Sequence, residues 1–114
     1  MGKLTTHVLD TAHGCPAAGM ALHLFDASNQ LLLSTTTNSD GRVDGPLLEG
    51  ATLRSGRYRL EFAAGDYFRG RGVTLPEVPF LDVVSLSFGI DNADAHYHVP
   101  LLVSPYSYST YRGS

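Results

Sequence analysis

Arg57-Tyr58-Arg59-Leu60-Glu61-Phe62 alternates without a break: Tyr58, Leu60 and Phe62 fall on one side, Arg57, Arg59 and Glu61 on the other. Successive side chains of a strand point to opposite faces, so this stretch predicts a strand with its apolar face on a core and its polar face in water. The same period recurs in both directions along the chain. Upstream, Leu4, Thr6 and Val8 alternate with Thr5, His7 and Leu9 before Asp10, and Met20, Leu22 and Leu24 alternate with Ala21, His23 and Phe25. Leu31 to Thr37 gives a further strand rich in β-branched threonine, and Asn38-Ser39-Asp40-Gly41 a tight turn placed directly before Arg42. Downstream, Val84, Leu86 and Phe88 alternate with Val83, Ser85 and Ser87 before a turn signal at Gly89-Ile90-Asp91-Asn92. His96 to Val103 and Tyr106 to Arg112 follow as strands joined through Ser104-Pro105. Helical periodicity is scarce, with room for one turn at Asp66-Tyr67-Phe68-Arg69 between Gly65 and Gly70. About eight short strands with turns between them predict an all-β fold, an antiparallel two-sheet β-sandwich with at most one short helix.

A chain of 114 residues fits a single domain over residues 1–114. Only 17% of the residues are charged, against roughly 25% in typical soluble domains, which points to surface hidden by self-association. The net charge of -3 and the pI near 5.9 leave no basic stripe and argue against nucleic acid as a partner. No apolar run has the length of a membrane span, and no leader or peroxisomal ending is visible, so the expected location is the cytoplasm. The lone Cys15 has no partner for an internal disulfide and no flanking base to make it a nucleophile.

The chemistry-bearing residues are mostly histidines, five in all. His96 and His98, two apart on a strand, share a face. Three readings fit them: a solvated strand face, a zinc site with His7 as third ligand, or metal-free acid–base chemistry by imidazoles that titrate near neutral pH. Arg42, just past its turn, is a surface cation or, in a pocket, a planar fork for carboxylate or imide oxygens. His13 and His23 show no partner pattern and read as structural or exposed. The terminal Tyr106-Ser107-Tyr108-Ser109-Thr110-Tyr111-Arg112-Gly113-Ser114 is either a polar edge strand or the wall of a pocket for a flat, oxygen-rich ligand.

Four segments together carry a family resemblance: Leu4-Thr5-Thr6-His7-Val8-Leu9-Asp10, Asn38-Ser39-Asp40-Gly41-Arg42, His96-Tyr97-His98-Val99-Pro100-Leu101-Leu102 and the ending Ser104-Pro105-Tyr106-Ser107-Tyr108-Ser109-Thr110-Tyr111-Arg112-Gly113-Ser114. With them the chain resembles the transthyretin family, and within it the branch that hydrolyses 5-hydroxyisourate rather than the hormone carriers. The resemblance spans essentially the whole chain, and the closing tetrapeptide is its most specific element. It implies a sandwich of eight strands assembled as a homotetramer, with sites at a dimer–dimer interface. The catalytic residues it implies are His7, Arg42 and His98, and the substrate-binding set is His7, Arg42, Tyr111, Arg112 and Ser114. Neither a metal nor an organic cofactor is implied.

The implied reaction belongs to urate breakdown: water opens the lactam ring of 5-hydroxyisourate to give 2-oxo-4-hydroxy-4-carboxy-5-ureidoimidazoline. The residue types suit it. A neutral His98 takes a proton from water, Arg42 binds oxygens and stabilises the negative charge that forms, Tyr111 hydrogen-bonds the substrate, and His7 orients water or substrate. Two other readings stand beside it: a non-catalytic carrier of small ligands on the same sandwich, and a zinc-dependent hydrolase using His7, His96 and His98.

Overall fold

The computed structural model describes residues 1–113. Among them are nine strands, two of them only two residues long, and one α-helix: β1 (Lys3–Asp10), β2 (Cys15–Pro16), β3 (Ala21–Asp26), β4 (Leu31–Thr36), β5 (Leu48–Glu49), β6 (Gly56–Phe62), α1 (Ala64–Gly70), β7 (Val84–Ile90), β8 (His96–Val103) and β9 (Tyr108–Thr110). One sheet runs β2-β1-β8-β9, with β5 also paired to β1; the other runs β4-β3-β6-β7. The two sheets face each other across one core. From the first sheet come Leu4, Val8, Tyr97, Val99, Leu101 and Val103; from the second, Leu22, Leu24, Tyr58, Leu60, Phe62, Val84 and Leu86. Those of β1, β3, β6 and β7 lie on faces that the period of two set out; in β8 the face opposite His96 and His98 turns inward. Each large aliphatic side chain removed from water contributes about 1.5–3 kcal/mol, which is why alternation alone selects the register. The buried polar side chains are satisfied: Thr6 donates to the Val99 carbonyl at 2.7 Å and Thr37 to that of Ala17 at 2.6 Å.

The expected sandwich is present, but not every pair of strands is antiparallel. β1 and β8 run parallel over their full length, from Lys3 opposite His96 to Asp10 opposite Val103. The first and last long strands of the chain meet at the centre of a sheet, and no hairpin turn constrains their relative direction.

The helix is longer than the expected single turn, with Gly65 and Gly70 inside it rather than bounding it. Packing overrides propensity here. Ala64, Gly65, Tyr67 and Phe68 are buried, and a side chain at Gly65 would approach Asp82 Oδ1 to 2.9 Å. β7 continues through Gly89 and Ile90, where a turn was expected, because Ile90 is buried and pairs with Gly56. β9 is shorter than its candidate. Tyr106 lies in a turn closed by Ser104 N–H donating to the Ser107 carbonyl at 2.9 Å. Past Thr110 the ladder breaks because its register sets Tyr111 opposite Pro100, which has no N–H to donate. The Pro100 carbonyl accepts the Thr110 hydroxyl instead, at 2.7 Å. Pairing resumes two residues later, where Gly113 N–H donates to the His98 carbonyl at 2.8 Å.

Candidate active site

With Leu4, Thr6 and Val8 pointing inward, Thr5 and His7 must point out from β1, and by the same rule His96 and His98 point out from β8. The parallel register sets Thr5 beside His98 and Lys3 beside His96. The Thr5 hydroxyl therefore lies between the two imidazoles, 2.8 Å from His96 Nε2 and 2.8 Å from His98 Nδ1.

The third component is the turn before Arg42. Asn38 holds it closed, its Oδ1 accepting the N–H groups of Asp40 at 2.9 Å and Arg42 at 3.2 Å. Gly41 docks the turn on β1: it adopts φ +75°, its carbonyl accepts Val8 N–H at 2.7 Å, and a Cβ there would lie 2.3 Å from the Val8 carbonyl oxygen. Only glycine meets both demands. Docking brings the Asp40 carbonyl 2.8 Å from His7 Nε2. A carbonyl only accepts, so Nε2 carries the proton and Nδ1 of a neutral His7 is the basic nitrogen.

His98 is half-buried and its pKa lies below the ordinary imidazole value. Burial is the main cause, and the nearby Arg42 guanidinium, His96 and His7 add to it. The ring is thus neutral at neutral pH. Nδ1 is engaged by Thr5, so Nε2 is the nitrogen left to meet a water or a substrate. Gly113 lies close to the ring, and a Cβ on it would come within 2.5 Å of His98 Cδ2, so only glycine leaves the imidazole room there.

The structure brings His7, Arg42 and His98 together, but within one chain it places the side chains of the tail elsewhere. The Arg112 guanidinium stacks on the Tyr97 ring at 4.0 Å and donates to the His96 carbonyl at 3.3 Å. Tyr111, largely exposed, lines a cavity of about 410 Å³ at the open edge of the sandwich with Arg112, Leu86, Phe88 and Tyr108. Ser114 lies outside the described residues. The two histidines set aside as structural or exposed do have partners. His13 Nδ1–H donates to the buried Asp10 carboxylate at 2.6 Å, and His23 Nδ1 lies 2.8 Å from the Ser34 hydroxyl. Among the described residues no three His, Cys, Asp or Glu side chains are grouped as metal ligands, so His7, His96 and His98 do not form the set that a zinc reading requires. Thr5 carries no chemical signature of its own in the sequence, although its place on the face shared with His7 is visible in the alternation.

A neutral, half-buried imidazole beside a guanidinium, on the outer face of a two-sheet sandwich, defines a transthyretin-like protein equipped for acid–base chemistry. The chain belongs to the HIUase/Transthyretin family, whose model matches residues 4–113. It is 62% identical to the 5-hydroxyisourate hydrolase of Pseudomonas aeruginosa, an alignment covering 100% of this chain and 93% of that protein. Among solved structures, (S)-allantoin synthase superposes with a TM-score of 0.95 at 50% identity; the match covers 99% of this chain but only 44% of that protein's length. The 5-hydroxyisourate hydrolase of Klebsiella pneumoniae superposes with a TM-score of 0.83 at 33% identity, over 100% of both chains.

Proposed function

We infer that this chain is a 5-hydroxyisourate hydrolase, opening the lactam ring of its substrate with water. The observation that carries the reading is the neutral His98 next to the Arg42 cation, in a chain matched over its whole length by hydrolases of that substrate. Neutral imidazole is the form that accepts a proton, and a guanidinium is the group that stabilises an oxyanion. In this reading His98 Nε2 takes a proton from water as the water oxygen attacks the lactam carbonyl. Arg42 stabilises the charge that gathers on the carbonyl oxygen. His7, held by the Asp40 carbonyl with its Nδ1 free, orients the water or the substrate. Tyr111, Arg112 and Ser114 bind substrate in this reading; within one chain Tyr111 and Arg112 lie at the open edge of the sandwich, so that part of the site is completed only in the assembly.

The assembly in this reading is a homotetramer with the sites at the dimer–dimer interface. The low charge content supports it, as does the setting of the histidines on an open outer sheet face beside the half-buried Leu9 and Leu102. A site closed by a second sheet excludes bulk water and strengthens each electrostatic contact. The expected location is the cytoplasm; among the described residues no helix is long and apolar enough to cross a membrane. A carrier of apolar aromatic ligands would have no use for two imidazoles and a guanidinium on this face. The decisive experiment generates 5-hydroxyisourate from urate and follows its ultraviolet decay with the purified protein. Decay faster than the spontaneous rate is the expected result, and an unchanged rate overturns the reading. Light scattering at the assay concentration tests the assembly: a monomer contradicts the tetramer.

A further inference from the structure

Three side chains of the outer face form one hydrogen-bonded row, His98 Nδ1, Thr5 Oγ1 and His96 Nε2, with both separations 2.8 Å. A threonine hydroxyl has one proton to give. When both imidazoles are neutral, only two arrangements fill the row. In the first, Thr5 donates to His96 and receives the Nδ1–H of His98, leaving His98 Nε2 as a lone pair, the form that acts as a base. In the second, every proton of the row is shifted, and His98 carries its hydrogen on Nε2, the form that acts as an acid. One end of the row is half-buried and the other, His96, is exposed. The parallel register of β1 and β8 builds the row, because it sets Thr5 beside His98 and leaves its hydroxyl within reach of His96, two residues earlier on the same face.

We propose that Thr5 and His96 are positioning residues that act through His98, as a hydroxyl-bridged relay that sets its tautomer and carries its proton toward solvent. The proposal rests on the hydrolase reading for the reaction it serves, though the tautomer it assigns is a property of the resting protein. The step balances. As the attacking water loses a proton to His98 Nε2, the Nδ1 proton passes to Thr5 Oγ1 and the hydroxyl proton of Thr5 passes to His96 Nε2. The new C–O bond leaves an oxyanion on the former carbonyl. His98 is then neutral with its proton on Nε2, and the positive charge rests on His96, the more exposed end of the row. When the intermediate collapses, the C–N bond breaks, His98 Nε2 gives its proton to the departing ring nitrogen, and the row runs backwards to restore Nδ1–H. His98 therefore need not hold a full positive charge beside Arg42 at any stage.

Nitrogen NMR of the protein labelled at histidine reads the tautomer directly and needs no substrate. The expected result is a resting His98 protonated on Nδ1. Thr5→Val keeps a β-branched side chain but removes the hydroxyl; we expect it to lose that preference and to lower kcat about tenfold or more while KM changes little. Thr5→Ser retains the hydroxyl and restores both. His96→Ala lowers kcat, and free imidazole in the buffer recovers part of the loss. A wild-type His98 protonated on Nε2, or a Thr5→Val protein with wild-type kcat, overturns the proposal. A wild-type protein with no turnover overturns the hydrolase reading instead, while the NMR measurement still decides the tautomer.

Discussion

Two hydrogen-bonded clusters along β1 each include a histidine, one at the C-terminal end of the strand and one at its middle, and they behave oppositely. At the C-terminal end, Asp10 is buried, and its carboxylate accepts the His13 N–H at 3.0 Å, His13 Nδ1–H at 2.6 Å and the Tyr67 hydroxyl at 2.8 Å. Burial would raise the Asp10 pKa, but hydrogen bonds from Tyr67 and His13 outweigh it and the net shift is downward. Burial and the Asp10 carboxylate together push the Tyr67 hydroxyl up, so it stays a donor. Every group here has its partner, and the cluster ties the loop after β1 and the helix to the sheet. At the middle of the strand no carboxylate of the described residues is hydrogen-bonded to the histidines. His98 has a guanidinium and two other imidazoles around it, and the net effect is a neutral ring. A histidine against a carboxylate becomes a structural joint; a histidine among cationic and basic neighbours stays free to accept a proton.

The sharpest way to break that contrast is to remove each centre in turn. His98→Ala is expected to lower kcat by about a hundredfold to ten-thousandfold, the usual worth of a general base, with the fold retained. Turnover at the wild-type rate in a folded His98→Ala protein would remove His98 from the mechanism. Asp10→Ala should show the reverse pattern. It leaves the buried Tyr67 hydroxyl and His13 without their acceptor, which costs about 1–3 kcal/mol in denaturant unfolding. The turnover of the fraction that remains folded should stay close to wild type. A large loss of kcat without loss of stability would mean that the two clusters are coupled.

A smaller effect separates the clusters by pH. Protonation removes the lone pair of His98, so activity falls as pH drops through a pKa lower than the ordinary imidazole value of about 6.5. Asp10 behaves differently, because its folded pKa is lowered below 3.8. Its contribution to stability is present above the unfolded carboxylate pKa and is lost as pH falls through the lower folded value. The expected outcome is an acid limb in the pH–rate profile that precedes the Asp10-linked loss of stability in denaturant titrations. Coincident limbs would show that inactivation is acid unfolding rather than titration of His98.

The inner faces of the sheets were legible at the level of residue type. Tyr58, Leu60 and Phe62, like Leu4 and Val8, are placed by a hydrophobic term that depends on alternation and little else. The turn at Asp40-Gly41 was legible for a similar reason, since its backbone demand is local. The same alternation sent His7, His96 and His98 to the outer faces. What these outward residues meet depends on which strand lies next to which, in what direction and register. No short-range signal encodes that. The parallel pairing of β1 with β8 unites residues some ninety positions apart, and it alone makes a row of Thr5, His96 and His98. Pro100 interrupts the last ladder only because β9 is set against it, and the length of α1 follows from the pocket that receives Gly65 and Phe68. Amino-acid order was enough to say that this is a β-sandwich with histidines on an outer face. Tertiary packing decided which of them sits against a carboxylate and which among cationic and basic neighbours, because a pKa is set by neighbours and burial, and those exist only in the folded chain.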